Sequence, residues 1–301
     1  MTGGDTSFRH QSDGVFKPDD YIVAPFESDS VAKEFIRTHH YSGTYPAALQ
    51  RYGLWHRSSA SGESLVGVAV LSAGAKAALP KAFPGLTPYS HSADLGRFVL
   101  LDEVPANGES WFIGQMSKLA AATGLRGLTS FSDPLPRHRR DGSVIFPGHV
   151  GTIYQATNAV FTGRSKKKTL YLFNDGAVLD PTATSKLFAY PPAQGRRYVQ
   201  EALLARDVAL PRDGEPRGEW LTRVMKDGAL RRFQHPGNLR YCFRLGTPAE
   251  RRLVEVGYEP QAYPKKATFT VPGVEASVPR QIAPPRLRGS ATNMVDGSGL
   301  W

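Results

Sequence analysis

The sequence predicts an α/β (α+β) fold in which helices flank a mixed central sheet. Three observations lead to this prediction. Between residues 93 and 173 the hydrophobic pattern alternates as strand, helix, strand, helix and strand. Before that stretch, residues 52–55 and 65–71 are apolar and β-branched around a polar turn, which indicates an antiparallel hairpin. The 301-residue chain is 41% hydrophobic and 21% charged, which is typical of a globular protein with a sizeable core.

The elements follow from local signals along the chain. Ser28 or Asp29 can cap a first helix that runs to the polar cluster at 38–43. Residues 75–92 contain three prolines and are predicted to be irregular. The strand at 93–101 and the strand at 125–133 are joined by a helix, so we expect them to be parallel with a right-handed crossover.

The later elements carry weaker patterns. A loop and a short helix follow the second of these strands, and residues 159–173 predict a hairpin-like pair of strands. Helices are predicted within 186–207 and from residue 219, and a strand follows residue 235. We therefore divide the chain into a flexible arm (1–20), a catalytic core (21–175), a C-terminal extension packed on the core (176–266) and a flexible basic tail (267–301).

The charge balance points to a polyanionic partner. Thirty-seven Lys and Arg against 27 Asp and Glu give a net charge of +10, which favours nucleic acid, although a basic protein without such a partner has the same composition. The lone Cys242 excludes a disulfide framework and a cysteine-cluster zinc site. No long apolar segment or signal peptide is apparent, so a cytoplasmic protein is expected.

Chemically versatile residues gather at predicted element ends. His40 and Tyr41 close the first helix, Ser132 and Asp133 end the second parallel strand, and His149 and Tyr154 lie around the short helix. Ligands of open α/β sheets bind at the carboxyl ends of strands, so Asp133 is a candidate base or metal ligand. Each residue also has a structural alternative: a helix terminus for His40, the cap of a turn for Asp133, and a core tyrosine for Tyr154.

Two further features suit phosphate groups. The loop after the first parallel strand leads into a helix start at Asn107, Gly108, Glu109 and Ser110, where unpaired N–H groups can hold a nucleotide phosphate; an ordinary crossover loop is the alternative. Two basic clusters flank the candidate site and can contact a phosphate backbone; they comprise Arg137, Arg139 and Arg140, and Lys166, Lys167 and Lys168.

Six blocks of sequence resemble the Mom family of bacteriophage DNA-modification proteins, in the right order over about residues 30–266. They are HHYSG (39–43), LGRFVL (95–100), FSD (131–133), GHVGTIYQATNAVFTG (148–163), HPGNLRY (235–241) and YPK (263–265). The resemblance implies a GNAT-like fold of the acetyltransferase superfamily. It also implies conversion of the exocyclic amino group of adenine in duplex DNA to a carbamoylmethyl (acetamido) group, which protects phage DNA from restriction in the host cytoplasm.

The family is associated with acetyl-CoA (or CoA) and with iron. The resemblance places cofactor contacts on the 95–100 block, at Phe98 and Val99, and on the helix start. The glycine-rich pyrophosphate loop of GNAT enzymes is absent, because PANGES (105–110) keeps one glycine. Joining the adenine nitrogen to a methylene carbon needs activation of that carbon, for which a redox-active metal is suited.

The resemblance thus yields a set of expected roles. His40, Tyr41, Ser132, Asp133 and Tyr154 are the expected catalytic residues; His40, Tyr41, Asp133 and His149 are the expected iron ligands. Tyr41, Phe131 and Tyr154 are expected to hold a flipped adenine. The alternative functions are a GNAT N-acetyltransferase acting on a small amine or a protein lysine, and a non-enzymatic DNA-binding accessory protein.

Overall fold

The computed structural model describes residues 14–40, 42–58, 62–74, 78–179 and 181–265. Its central sheet has seven strands in the order β1-β2-β3-β4-β5-β11-β8. The strands are β1 (Tyr21–Pro25), β2 (Ala48–Ser58), β3 (Gly62–Ser72), β4 (Ser92–Leu100), β5 (Gly127–Ser132), β6 (Arg137–His138), β7 (Val144–Phe146), β8 (Val160–Arg164), β9 (Lys168–Phe173), β10 (Leu230–His235) and β11 (Leu239–Arg244). The helices are α1 (Asp29–His39), α2 (Ala78–Ala82), α3 (Gly108–Ala122), α4 (Thr152–Ala156), α5 (Pro181–Leu187), α6 (Arg196–Leu204), α7 (Arg217–Lys226) and α8 (Pro248–Leu253).

The mixed central sheet flanked by helices confirms the predicted fold class. The β2–β3 hairpin and the first helix form where the sequence indicates them. On one face of the sheet, α1 packs Phe35 and Ile36 against Val68 and Val70. On the other face, α3 buries its apolar side chains Phe112, Ile113, Met116 and Ala120 in the largest cluster of the core.

Strands β4 and β5 form the parallel pair that the helical crossover predicts. Residues Ser92–Asp94 of β4 pair with residues 127–129 of β5. Among the described residues, β4 pairs only with β3 beyond Asp94, and β5 pairs only with β11 beyond Thr129. A cleft therefore opens between the two strands after Asp94 and Thr129, toward the carboxyl end of β5. In open α/β sheets, ligands bind at such an edge.

An inserted unit lies between β8 and β11. It comprises β9, α5, α6, α7 and β10, and it has its own hydrophobic core around the fully buried Trp220. The predicted pairing of residues 159–173 as a hairpin is wrong, because β8 pairs with β11 and β9 pairs with β10. The alternation of apolar residues identifies a strand but does not determine which other strand it pairs with.

Three connecting segments are more ordered than the sequence indicates. Phe16 stacks on Tyr21 with ring centroids 4.8 Å apart and lies 5.4 Å from Trp111, so residues 14–20 of the expected arm pack against the start of α3. The segment 75–92 contains α2, and the loop after β5 contains the β6–β7 hairpin. The expected tail, 267–301, lies outside the described residues, as do residues 1–13.

Across the part of the chain that the structure describes, no helix combines the length and apolar character needed to cross a membrane.

Candidate active site

Asp133 stands at the centre of a polar cluster just beyond the end of β5. Its Oδ1 lies 2.9 Å from Nε2 of His235 and accepts a hydrogen bond from the backbone N–H of Leu135 at 3.0 Å. Its Oδ2 lies 3.5 Å from a guanidinium nitrogen of Arg137. Burial favours a raised pKa for Asp133, but the hydrogen bond from His235, assisted by Leu135 and Arg137, outweighs it and lowers the pKa. The carboxylate is therefore ionised at neutral pH.

His149 is held against Asp133 by its backbone. The N–H of His149 donates to the carbonyl oxygen of Asp133 at 2.8 Å. The preceding Gly148 has φ +71°, and a Cβ there would lie 2.5 Å from the carbonyl oxygen of Pro134. Only glycine suits both the left-handed backbone and this close approach, so the GH pair of the 148–163 block places His149 at the cleft.

His40 reaches the same region from the end of α1. Its Nδ1 accepts the backbone N–H of Ser42 at 3.1 Å, with the Ser42 hydroxyl at 2.9 Å. Burial lowers the pKa of His40 to about 3, and the charge of Arg97, of His149 and of Arg137 adds to the effect. Burial also lowers the pKa of His149 to about 4 against the opposing charge of Asp133. Both imidazoles are neutral at pH 7.

Three of the four expected ligands, His40, Asp133 and His149, thus lie in one region of the structure. The fourth expected ligand, Tyr41, lies outside the described residues. Tyr154 is 5% exposed and packs in the core against Tyr241 and Phe243, with its ring centroid 6.4 Å from that of His149. Its ring borders the site from the core side.

The cleft between β4 and β5 holds buried hydroxyl groups. Ser130 and Ser132 follow the last residue of β5 that pairs with β4, they are two positions apart and share one face, and both are fully buried. Neither Oγ has a hydrogen-bond partner. A buried hydroxyl without a partner costs about 1–3 kcal/mol, so two of them beside an open strand edge indicate a place for a polar ligand.

Asp94 lies at the closed end of this cleft. It accepts a hydrogen bond from the hydroxyl of Thr129 at 2.7 Å, across the last pair of the parallel ladder. Desolvation raises the pKa of Asp94 to about 6, although Thr129 and the charge of Arg97 favour its ionised form. The cleft therefore contains one carboxyl group that titrates near neutral pH and one, on Asp133, that stays ionised.

The expected cofactor contacts occupy different environments. Phe98 lies 5.4 Å from Phe112, centroid to centroid, and Val99 packs toward α1, so these residues can meet a ligand in the cleft through their backbone. Asn107 caps α3 in a left-handed conformation, and Ser110 Oγ donates to its carbonyl oxygen at 3.1 Å. Gly108 is buried under Phe16, and its N–H donates to Pro105.

Glu109 counts against a phosphate at this helix start. It places a carboxylate in the first turn of α3, where the helix dipole would otherwise favour an anion. The phosphate cradle at 107–110 stays a prediction.

The donor set does not fit the expected iron. Among the residues that the structure describes, no three His, Cys, Asp or Glu side chains converge in a way that could hold a metal ion. Asp133 directs Oδ1 at two hydrogen-bond donors and Oδ2 at the cationic Arg137, which disfavours a second cation there. The iron prediction therefore finds no support in these residues.

The basic residues divide into two groups. Arg137 and Lys168 line the site itself: Arg137 is 11% exposed, lies over the Phe146 ring and pairs with Asp133. Desolvation, only partly offset by Asp133, lowers the pKa of Lys168. Arg139 and Arg140 belong to the β6–β7 connection, and Lys166 and Lys167 to the exposed β8–β9 connection.

His235 is a site residue that the sequence patterns did not single out. It ends β10 in the inserted unit, 102 positions from Asp133, and is 2% exposed. His235 is the first residue of the HPGNLRY block. Tyr241, the last residue of the same block, is buried in the core, where its hydroxyl donates to the carbonyl oxygen of Val150. Gln155 of the 148–163 block donates to the Tyr241 hydroxyl at 3.1 Å and to the carbonyl oxygen of Pro264 at 3.3 Å. The blocks of the resemblance are thus joined in space.

Comparison with known proteins identifies one matching family and several solved structures with low sequence identity. The Mom protein family matches the chain over residues 20–265. No curated protein sequence matches it. Similar solved structures include a tandem GNAT protein from the clavulanic acid biosynthesis pathway, determined without AcCoA, with 14% identity, a TM-score of 0.33 and 76% of each chain covered. Another is a candidate phosphinothricin N-acetyltransferase with 12% identity, a TM-score of 0.27, and 47% of this chain and 83% of that chain covered.

Proposed function

Because the chain belongs to the Mom protein family, we propose that it is a DNA-modification enzyme of the acyltransferase type, acting on the exocyclic amino group of adenine. The modification we propose is the carbamoylmethyl (acetamido) group, which protects the DNA from restriction. The observation that carries the proposal is the cleft between β4 and β5, with unpartnered buried hydroxyls along one strand and an ionised carboxylate at its mouth.

Acetyl-CoA, or CoA, fits this cleft as the cofactor. Beyond Thr129, the edge of β5 that faces β4 has no strand partner among the described residues, so its backbone groups and the Ser130 and Ser132 hydroxyls can bind an extended, amide-bearing chain. When bound, the cofactor would supply the two carbons as a thioester-activated acetyl group; the amide nitrogen, and the two-electron oxidant needed to join the methyl carbon to the adenine nitrogen, would come from separate co-reactants.

Asp133 is the residue we propose to receive the amino group. Its Oδ1 already accepts from His235 and Leu135, whereas Oδ2 lies 3.5 Å from the guanidinium of Arg137 and is the oxygen that we propose accepts an N–H of the target amine. The neighbouring Arg137 favours the ionised carboxylate, and an ionised acceptor stabilises positive charge that develops on the amine nitrogen. The neutral rings of His40 and His149 add polar groups without adding positive charge.

DNA is the partner that this function requires. A base inside a duplex must leave the stack before its amino group can enter a cleft between two strands. Arg139, Arg140, Lys166 and Lys167 lie on two connections next to the site and are suited to the flanking phosphates. Phe131, which is partly buried on β5, remains a candidate for stacking on the base.

Mass spectrometry of nucleosides tests the proposal. DNA from cells that express the protein should contain an adenosine species about 57 Da heavier than adenosine, since the enzyme adds an acetamido group to the extruded base. Cells that carry the empty vector are the control. Unmodified DNA together with turnover of acetyl-CoA would instead indicate an N-acetyltransferase for a small amine or a protein lysine. Unmodified DNA without turnover would indicate an accessory DNA-binding protein.

A further inference from the structure

We propose that His235 is a positioning residue that fixes Asp133 through one defined tautomer of its imidazole. The assignment of Asp133 as the group that meets the amine rests on the proposed function above. The orientation of Asp133 by His235 rests on the geometry alone.

The hydrogen bonds of His235 define which ring nitrogen carries the proton. The backbone N–H of Gly237 donates to Nδ1 at 3.0 Å, so Nδ1 presents a lone pair. The proton of the ring is then on Nε2, which lies 2.9 Å from Asp133 Oδ1 and donates to it. With both nitrogens engaged, His235 has no atom left to act as a base on a substrate.

The turn that follows His235 is rigid. Gly237 has φ +103°, and a Cβ at this position would overlap the carbonyl oxygen of Ser165. The N–H of Asn238 donates to Ser165 Oγ at 2.9 Å, and Ser165 N–H donates to the carbonyl of Asn238 at 2.8 Å. The N–H of Gly237 is thereby held in place beneath the imidazole.

The surroundings of Asp133 explain why orientation needs a dedicated partner. Arg137, His149 and Lys168 approach it from β6, the segment before α4, and β9. A guanidinium binds both oxygens of a carboxylate when the geometry permits. Oδ2 already lies 3.5 Å from Arg137. Without the donor at His235, only the N–H of Leu135 holds Oδ1, and Asp133 can rotate until Arg137 binds both of its oxygens; Oδ2 is then lost as an acceptor, while the site keeps its charge.

Two substitutions of His235 test the hydrogen bonds of its two ring nitrogens separately. His235→Gln places an amide N–H near the position of Nε2 and keeps the donor to Asp133, but it loses the acceptor for Gly237. His235→Asn places an amide oxygen near the position of Nδ1 and keeps the acceptor for Gly237, but it loses the donor to Asp133. A role in the turn alone predicts that the Asn variant works better than the Gln variant.

The positioning role predicts the opposite order. In the adenine-modification assay, the Gln variant should retain most of the kcat, whereas the Asn variant should lose about 10- to 100-fold in kcat with an unchanged KM for DNA, since misplacement by about 1 Å is this costly. Thermal unfolding of both variants confirms that each is folded. Equal losses in the two variants, or a greater loss in the Gln variant, would overturn the proposal.

Crystal structures of the two variants give a readout that needs no activity. Asp133 should keep its side-chain rotamer in the Gln variant, with only Oδ2 facing Arg137, and should rotate in the Asn variant so that both of its oxygens face Arg137. The same rotamer in both would refute the positioning role. If the wild-type protein modifies no adenine, the proposed function fails, and these structures still decide the role of His235.

Discussion

Two carboxyl groups in one cleft have environments that move their pKa values apart. At Asp133, burial is outweighed by the donors His235 and Leu135 and by the charge of Arg137, so the pKa falls below its ordinary value. At Asp94, desolvation prevails over the Thr129 hydrogen bond and raises the pKa to about 6. Such pairs of oppositely shifted groups are typical of catalytic sites.

The raised pKa of Asp94 has a consequence for stability. A carboxyl group whose pKa is higher in the folded protein stabilises the fold below its unfolded pKa, and this stabilisation is lost as the pH rises through about 6. Asp94→Asn keeps an oxygen to accept the Thr129 hydroxyl and carries no charge at any pH. We expect the variant to be more stable than the wild type at pH 8, by at most about 3 kcal/mol.

Denaturant unfolding at pH 4 and pH 8 measures this difference. The wild type and the Asp94→Asn variant should have similar free energies of unfolding at pH 4 and diverge as the pH rises. Glu201→Gln, on the exposed face of α6, should track the wild type at both pH values. A constant offset between wild type and Asp94→Asn across this range would show that the group is not desolvated.

The residues of the site could be predicted from the sequence where a local rule applies. Asp133 follows from the position of polar residues after a parallel strand, and His40 follows from the end of a helix. His235 could not be predicted in this way, because its contact with Asp133 spans 102 positions and depends on the pairing of β9 with β10. The burial of Tyr154 likewise depends on Tyr241, which is contributed by a strand far along the chain.

At the scale of elements, the turn between β10 and β11 joins the inserted unit to the central sheet. Gly237→Ala should destabilise the protein by at least about 2 kcal/mol, because the methyl group meets the Ser165 carbonyl in addition to a left-handed backbone. Gly142→Ala is the matched control: Gly142 has φ +85° and open space around its Cβ position. It should cost only about 1–2 kcal/mol.

Thermal unfolding of the two variants measures the cost of the left-handed backbone, from Gly142→Ala, and the added cost of the steric contact, from Gly237→Ala. A similar decrease in Tm for the two would mean that the close approach at Gly237 is relieved at no cost.

The elements themselves were largely predictable, whereas their partners were not. The strand–helix–strand unit around α3 has a fixed handedness and short connections, so local pattern and chain topology agree on it. Between β8 and β11 the chain forms the inserted unit, whose separate hydrophobic core includes Trp220. The next strand, β11, then pairs with β8 in the central sheet, and no local pattern in the sequence indicates this pairing. The extension assigned to 176–266 consequently contributes β11, which lies between β5 and β8, to the central sheet.

At the scale of the whole molecule, the net charge of +10 has a proposed location. If Arg139, Arg140, Lys166 and Lys167 contact DNA phosphates, replacing all four with Gln should reduce the slope of log K against log salt concentration by about 4. Fluorescence anisotropy with a labelled duplex between about 50 and 200 mM salt measures this slope.

A control pair of arginines lies at the other end of the sheet. Arg251 and Arg252 belong to α8, which follows the end of β11 that pairs with the start of β5, away from Asp133. Replacing these two arginines with Gln should leave the slope nearly unchanged. An equal change per charge in both variants would show that the binding is not localised to the site.

We propose that the cleft with Asp133 at its mouth modifies adenine in DNA. The most direct test compares nucleosides from cells that express the wild type with those from cells that express Asp133→Asn at the same level. We expect an adenosine species about 57 Da heavier with the wild type and a reduction of about 100-fold or more in its amount with the variant, since a positioned proton acceptor contributes this much. Equal amounts of the modified nucleoside with both proteins would show that the Asp133 carboxylate is not needed for the modification.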